Sequence, residues 1–514
     1  MAWFALAMLG VGLALMATTG WASYAVLLLV SCVIAAVGLA TGALDAALLQ
    51  ALPARVLGLL EHDLLQAVAL YALVGALLRE LDVAGAVIDA GSALGRRLGL
   101  RATQAEVLGG YALGALAAPM NGSVGACASM LARTAAPRWR AAGLDAPDTV
   151  ALTAAAATLG AIVPPSLVLL LLGDAMMRAH TEALGIAGTH GVRVINTQDL
   201  VQAGTPVAVL LALAWAAAAL WATRHIRSPA QASAAAAVPR LRALGVVAPL
   251  AVAALLALVA LGRVRAVEAA ATAAVALFAH AWASGRLRDA PLVRVLDDAM
   301  SLTGALFALL LAATTLSLVL RASGCDLLVA RGLARLADTP GLALTAVLGS
   351  MLLLAFVLDA FEIVFVVVPL VMPPLLALVP DAAWVACLAL LVLQAGFLLP
   401  PWGYAVVLAR ALALAPGSGP PGRADGGPGS STRPLRVDAS AAAVAERPST
   451  RRLAAALVPY LAALAAVLAV ALAFPGLTHW LRSAPATLAP SVDAHSVDEM
   501  LRQMSPPTGR GSPQ

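Results

Sequence analysis

The feature that most constrains this chain is a series of apolar runs, each about as long as a bilayer is thick. A helix needs about 20 apolar residues to cross the hydrocarbon core, which is roughly 30 Å thick. Runs of this length follow one another with only short polar connections between them. We predict membrane-spanning helices near residues 3–19, 24–41, 64–80, 104–120, 200–223, 244–262, 266–284, 299–320, 341–358 and 453–474.

The composition excludes a water-soluble fold. Hydrophobic residues make up 62% of the chain, charged residues make up 11%, and the mean hydropathy is +0.93. Soluble domains carry about 45–50% apolar and about 25% charged residues. The basic residues are all arginine and lie in short connections between apolar runs, as they do on the positive side of a membrane. This distribution argues for a lipid bilayer and against nucleic acid as a partner.

Polar stretches divide the chain into two halves and a tail. Residues 224–243 are predicted to form a cytoplasmic linker, and residues 416–452, rich in Gly, Pro and Ser, are predicted to be a disordered insert. The remaining segments are N-terminal membrane helices at 1–60, a first repeat at 61–223, a second repeat at 244–415, a terminal membrane helix at 453–480 and a disordered tail at 481–514.

One motif, Gly-x-x-x-Pro-Pro, occurs once in each half, at Gly160–Pro165 and at Gly396–Pro401. A polar break precedes each copy inside an apolar run, as Asn121–Ser123 in the first half and as Asp359–Glu362 in the second. The two breaks begin 43 and 41 residues ahead of the first proline of their copies. Matched, helix-interrupting segments of this kind indicate an internal duplication and the binding site of a secondary transporter.

The double proline has a local physical consequence. Proline lacks an N–H group and its ring clashes with the preceding turn, so the helix unwinds before each pair. The carbonyls of residues 160–163 and 396–399 then lack intrahelical donors, which in hydrocarbon would cost several kcal/mol per group. A dehydrated Na⁺ would satisfy them, so we predict an ion site at each break. The alternative is that each pair only kinks a helix.

Two carboxylates, Asp359 and Glu362, lie one turn apart in an apolar run. A charged side chain at the centre of a membrane costs about 2.5–3.5 kcal/mol on insertion scales, so such residues are functional candidates. We predict that they contact the substrate or the coupling ion. The alternative is that one of them only forms a buried hydrogen bond to a backbone break.

At these motifs the sequence resembles the large membrane (permease) subunit of TRAP (tripartite ATP-independent periplasmic) transporters, in the branch labelled for mannitol or chloroaromatic compounds. The similarity runs from about Leu60 to Trp480 and is strongest at residues 117–125, 158–169, 356–365 and 396–403. It implies an all-α polytopic membrane protein of two inverted structural repeats. Each repeat would contain a re-entrant helical hairpin and a discontinuous helix, as in an elevator-type secondary transporter.

The resemblance also implies a function and a set of partners. The chain would be a symporter of the bacterial cell inner membrane that imports an organic anion with Na⁺ as coupling ion and without another cofactor. Its partners would be a small four-helix membrane subunit and a periplasmic solute-binding protein. By the same resemblance, the first sodium site would use Asn121, Ser123, Gly160, Val163 and Pro165. The second, by repeat symmetry, would use Gly396, Leu399 and Pro401, with Asp359 nearby.

The sequence departs from the family pattern in three places. Asn121 stands where many members have Ser, Leu399 replaces the usual Thr before the double proline, and Arg265 to Glu268 replaces the usual Thr-Pro-Thr-Glu. The change at Leu399 removes a hydroxyl ligand from the second site. Two alternatives stay open: a stand-alone ion-coupled anion transporter of related architecture without a binding protein, and, more remotely, a polytopic membrane transferase enzyme.

Overall fold

The computed structural model describes residues 1–45, 47–60, 63–81, 83–121, 123–164, 166–187, 193–226, 243–283, 285, 287, 290–400, 403–414 and 449–481. All regular secondary structure in these ranges is helical, which confirms the predicted all-α class. Most of the predicted linker at 224–243 and nearly all of the insert at 416–452 and the tail at 481–514 lie outside the described residues.

The first half contains ten α-helices in the described ranges. They are α1 (Ala2–Thr19), α2 (Ser23–Ala40), α3 (Ala47–Leu60), α4 (Asp63–Glu80), α5 (Val83–Arg97), α6 (Ala102–Asn121), α7 (Val124–Ala141), α8 (Ala146–Thr158), α9 (Leu167–Ala187) and α10 (Thr197–Ala222).

The second half has a corresponding series of helices. They are α11 (Ala243–Ala260), α12 (Ala266–Ala283), α13 (Ala290–Ala322), α14 (Cys325–Ala334), α15 (Pro340–Leu354), α16 (Val368–Leu378), α17 (Ala382–Leu398), α18 (Tyr404–Leu414) and α19 (Thr450–Ala473). A short turn, Ala360–Glu362, and a π-helical segment, Ile363–Val367, lead directly into α16.

Seven helices of the described ranges are long and apolar enough to cross a membrane, so the chain is a multi-pass membrane protein. They are α1, α2, α10, α12, α13, the continuous segment Ala360–Leu378 and α19. Helices also occupy the other predicted spans. Sequence analysis missed α3, α5 and α14 and began α13 nine residues too late, because these segments are short or carry charged residues and so lack a long apolar run.

Small residues let helices α5 and α6 pack closely. A Cβ placed on Gly91 of α5 would lie 2.8 Å from the Cα of Gly109, and one on Gly95 would lie 3.0 Å from the Cα of Ala105. Helix association in a membrane depends on van der Waals packing because lipid tails are as apolar as leucine. Close backbone contact along α5 therefore fixes the position of α6, which leads to the first polar break.

The two halves pack reciprocally. Helix α18, which follows the second double proline, packs against α7 and α8, whereas α16 packs against α9, which follows the first. The helices before the two prolines also start alike, since Asp145 caps α8 and Asp381 caps α17 through backbone N–H groups at 2.9 and 3.1 Å. Asp145 and Asp381 have the same separation in sequence as Gly160 and Gly396, so each cap lies equally far ahead of its glycine. Each half thus completes the surroundings of the other half's break.

Candidate ion and substrate sites

The first polar break lies in the turn of a helical hairpin. Helices α6 and α7 run antiparallel, because Thr103 Oγ1 donates to the carbonyl of Ala142 at 2.8 Å and Trp139 Nε1 donates to the carbonyl of Glu106 at 3.1 Å. In each pair the two residues are equally far in sequence from the point just before Ser123, so the chain reverses direction there. Ser123 is the N-cap of α7, and its hydroxyl oxygen accepts a backbone N–H of the first turn at 3.5 Å.

The first double proline separates α8 from α9. The chain leaves α8 through a single 3₁₀ turn, in which the N–H groups of Ile162 and Val163 both donate to the carbonyl of Leu159, at 3.1 and 2.9 Å. The carbonyl of Ala161, which the sequence predicted to lack a donor, accepts a hydrogen bond from Ser166 Oγ at 3.0 Å. A side chain therefore satisfies one of the carbonyls that the prolines release.

Gly160 lies where the hairpin touches this break. A Cβ placed on it would lie 2.6 Å from the carbonyl oxygen and 2.9 Å from the Cβ of Ala118, close to the end of α6. Only glycine permits so close an approach of two backbones. Pro164 has no N–H group to donate to the carbonyl of Gly160, which lies in the wall of a cavity described below.

Three residues expected at the sodium sites are not fully described. Asn121 is the last residue of α6, but its side chain lies outside the described part of the structure. Pro165 and Pro401 lie outside the described residues altogether. Their predicted roles stay predictions.

The second double proline separates α17 from α18. Leu399 is the C-cap of α17, and its carbonyl accepts a hydrogen bond from the backbone N–H of Gly403 at 2.8 Å. A carbonyl oxygen has two lone pairs, so this bond leaves capacity for an ion. A Cβ placed on Gly396 would overlap the Cβ of Ala355, just beyond the end of α15. The first break has the same kind of contact: Gly160 lies against Ala118, and Gly396 lies against Ala355, and each alanine precedes the polar break of its half.

Asp359 and Glu362 restart the helix after the second polar break. The N–H of Asp359 donates to Glu362 Oε2 at 3.0 Å, and the N–H of Phe361 donates to Asp359 Oδ1 at 3.3 Å, which makes a capping box. Glu362 is 3% exposed and lies near Ser23 at the start of α2. The structure thus supplies the hydrogen-bonding role that the sequence left open, while the oxygens of the two carboxyl groups have more lone pairs than these bonds use.

A small cavity joins the first break to the second polar break. Ser123 and Gly160 line it from the first half, and Asp359 and Tyr404 line it from the second. The cavity volume is about 10 Å³, which is close to what one water molecule needs. The prediction placed Asp359 beside the second ion site, whereas the structure places it with residues of the first. The described lining includes neither Gly396 nor Leu399, the described residues predicted as ligands of the second site.

Tyr404 is a site residue that sequence analysis missed. A Cβ placed on Gly125 would lie 3.1 Å from its hydroxyl oxygen, so the hydroxyl reaches the start of α7 from the other half of the chain. Its signal in the sequence was its position three residues after the second double proline. With Tyr404, the residues that line the small cavity carry hydroxyl, carbonyl and carboxyl oxygens, which are the ligand types of hard cations.

A larger cavity of about 420 Å³ lies between α9, α13 and residues 364–369. This volume falls within the usual range for small-molecule sites. The lining is mainly apolar, with Thr314 and Ser317 among its polar residues. Sequence analysis also missed its charged residues, although a charge inside an apolar helix was a usable signal. They are Asp174, Arg178, Glu182 and Arg321.

The arginines of this cavity are held by carboxylates. Arg178 Nε lies 3.0 Å from Asp174 Oδ2, one turn away on α9. Arg321 Nη2 lies 2.9 Å from Glu182 Oε2 and also donates to the carbonyl of Pro369 at 2.9 Å. Arg321 therefore connects α13 to both α9 and α16, and the four charges of the lining sum to zero.

Comparison with known proteins identifies one family over nearly all of the described helices. A family model described as "Tripartite ATP-independent periplasmic transporter, DctM component" matches residues 6–477. The matched range contains both double prolines and both cavities. A search of curated proteins found no match to the chain.

Proposed function

The chain belongs to the DctM family of tripartite ATP-independent periplasmic transporters, and we propose on this basis that it is a sodium-driven importer of an organic acid. Membership makes it the large permease component of a secondary transporter. The family is one of transporters, so the membrane transferase considered above is set aside. The coupling ion, the substrate class and the partners are the content of the proposal.

The small cavity is the observation that carries sodium coupling. Ser123, Gly160 and Asp359 meet there although they come from two helix breaks in different halves of the chain. The carbonyl of Gly160 has lost its α-helical donor to proline, and Asp359 lines the same cavity. A buried cation would satisfy both groups at once, because burial of an unpaired carbonyl or carboxylate is unfavourable.

The larger cavity supports the substrate class. A carboxylate ligand entering it would compete with Glu182 for the guanidinium of Arg321, since arginine binds carboxylates through paired N–H donors. Such an exchange would release the contact between α13 and α9. We therefore propose that substrate binding releases one of the two contacts by which Arg321 holds α13 to α9 and α16, a step toward the movement that an elevator mechanism requires.

The proposed partners follow from the family. They are a small four-helix membrane subunit and a periplasmic solute-binding protein, in the inner membrane of a bacterium. Trp3 and Trp21 are 75% and 58% exposed at opposite ends of α1 and its turn. Lipid or the small subunit would cover these rings, because aromatic side chains concentrate at membrane interfaces.

Thermal unfolding of the purified chain in detergent tests the coupling ion without a known substrate. At constant ionic strength, replacing KCl by NaCl should raise the unfolding temperature, because a ligand that binds only the folded state stabilises it by about 2.7 kcal/mol at 100 times its Kd. Equal stability in both salts at every concentration would contradict sodium binding.

Uptake by proteoliposomes tests the substrate class and the binding protein. With an inward sodium gradient, the complex should accumulate at least one radiolabelled carboxylate from a panel, and only when a cognate binding protein is added. Accumulation without any binding protein would favour the stand-alone transporter instead. Uptake driven equally well by a proton gradient in potassium would move the coupling role to Asp359 and Glu362.

A further inference from the structure

A buried glutamine connects the two helix breaks directly. Gln394 of α17 is 0% exposed, and its Nε2 donates to the backbone carbonyl of Thr158, the last residue of α8, at 2.7 Å. The two residues occupy the same place in the duplicated motif, each two positions before the glycine that precedes the double proline. The bond therefore joins the two halves where each helix is about to unwind.

The accepting carbonyl is one that the first break releases. In a continued α-helix the N–H of Ile162 would donate to Thr158, but it donates to the carbonyl of Leu159 in the 3₁₀ turn instead. A side chain of the other half takes its place. The geometry of the first break is thus held in part by α17.

The other end of the amide indicates that this bond has a purpose beyond packing. Gln394 Oε1 is buried, and no hydrogen-bond partner for it lies within the described residues. An unpaired buried acceptor destabilises the fold, so an apolar side chain of the same size would serve packing better. The amide is useful here for the N–H that it donates to Thr158.

We infer that Gln394 is a positioning residue that couples the two helix breaks, so that sodium bound at one break raises the sodium affinity of the other. The inference rests on the proposed sodium coupling. An ion drawn to the carbonyls after Thr158 shifts the 3₁₀ turn, and with it the carbonyl that Gln394 holds. Gln394 then moves Gly396, which lies half a turn further along α17. Energetic coupling between sites requires such a physical connection between two arrangements.

Equilibrium binding of radioactive sodium to the purified full chain, followed by scintillation proximity, tests this coupling. The parent should show a Hill coefficient above one. Gln394→Met keeps the length and flexibility of the side chain but lacks the N–H donor. Its Hill coefficient should fall to one, and its apparent sodium affinity should weaken by roughly 5-fold or more.

Two control variants separate coupling from general destabilisation. Trp215→Phe removes a comparable bond outside the two Gly-x-x-x-Pro-Pro motifs, from the buried indole N–H of α10 to the carbonyl of Tyr460 in α19 at 2.9 Å. It should lower the unfolding temperature and leave the Hill coefficient unchanged. Thr158→Ala retains the backbone carbonyl, hence the bond to Gln394, and should also bind sodium cooperatively.

The outcomes distinguish this inference from the function on which it rests. A parent that binds no sodium overturns both. A parent that binds sodium without cooperativity, or a Gln394→Met variant as cooperative as the parent, overturns the inference alone. Loss of cooperativity in Trp215→Phe as well would assign the effect to stability and overturn it too. If the Gln394→Met protein is not expressed in folded form, Gln394→Asn tests the same bond, because the shorter amide cannot reach Thr158.

Discussion

The two helix breaks share a backbone plan and differ in chemistry. Each has a glycine that contacts an alanine located before the polar break, and a capping residue at which the helix after the polar break begins. At the first break the cap is Ser123, a neutral hydroxyl. At the second it is Asp359, paired in a capping box with Glu362. The two breaks thus share these features, and only the second has carboxylates at its polar break.

This difference shows why an ion site cannot be assigned within one half. The small cavity puts Asp359 of the second half opposite Ser123 and Gly160 of the first. A cation at the neutral break would find its counter-charge in the other half, where low polarity strengthens the attraction. The next four predictions test whether the two breaks are equivalent or complementary.

The largest effect is expected at Gly160, whose added Cβ would meet the backbone of Ala118. Overpacking of this kind costs about 1–3 kcal/mol or more, and a backbone carbonyl cannot turn aside as a side chain can. Gly160→Ala should abolish the stabilisation by sodium in thermal unfolding. Adding Ala118→Gly should not restore it, because the carbonyl oxygen at 2.6 Å remains. Full recovery in the double variant would show that the contact is not made by the backbone.

The effect of the matched substitution at the second break, Gly396→Ala, should be rescued by a second substitution. An added Cβ at Gly396 would overlap only the methyl group of Ala355 among its nearest neighbours. Gly396→Ala should lower sodium-driven uptake strongly, and the double variant Gly396→Ala with Ala355→Gly should recover most of it. Ala355→Gly alone serves as the control. A double variant as inactive as the single one would mean that the break itself, not the contact, requires glycine.

Removal of the charge at Asp359 should have the next largest effect. Asp359→Asn keeps an oxygen that can accept the N–H of Phe361, so the helix cap survives. Interactions with charged groups contribute about 1.5–3 kcal/mol, so sodium affinity should weaken roughly 10- to 150-fold. Sodium titration of the unfolding temperature measures this shift. Unchanged affinity would restrict the carboxylate to its capping role.

A smaller effect is expected at Ser123, the neutral counterpart of Asp359. Loss of one uncharged oxygen ligand corresponds to about 0.5–1.5 kcal/mol, or a roughly 2- to 12-fold weaker sodium affinity. Ser123→Ala is measured by the same titration. An effect larger than that of Asp359→Asn would reverse the ranking of the two breaks.

Leu169→Ala is the control for this series. Leu169 is 0% exposed near the start of α9, outside the lining of both cavities in the described residues. Its truncation should destabilise the protein by about 2–5 kcal/mol and leave sodium affinity near that of the parent. A matching loss of affinity would mean that sodium binding reports stability alone.

Several elements could be predicted from the sequence because their causes are local. Hydropathy located the long apolar helices, and the chemistry of proline located the ends of α8 and α17. The polar residues at 121–123 and 359–362 located both interruptions of the apolar runs. By contrast, Asp174, Arg178 and Arg321 were missed, because the sequence shows them as separate charges in apolar runs and does not show that α9 and α13 bring them to one cavity.

By itself, the sequence determined an all-helical membrane protein with two proline breaks, since apolar length and the missing proline N–H act within a few residues. Only the tertiary structure decided which groups meet at those breaks. Asp359 joins Ser123 and Gly160, and Gln394 reaches Thr158 across 236 residues of chain. Such contacts depend on how helices from the two halves pack against each other. Neither half alone carries that information, because each buries its break against helices of the other.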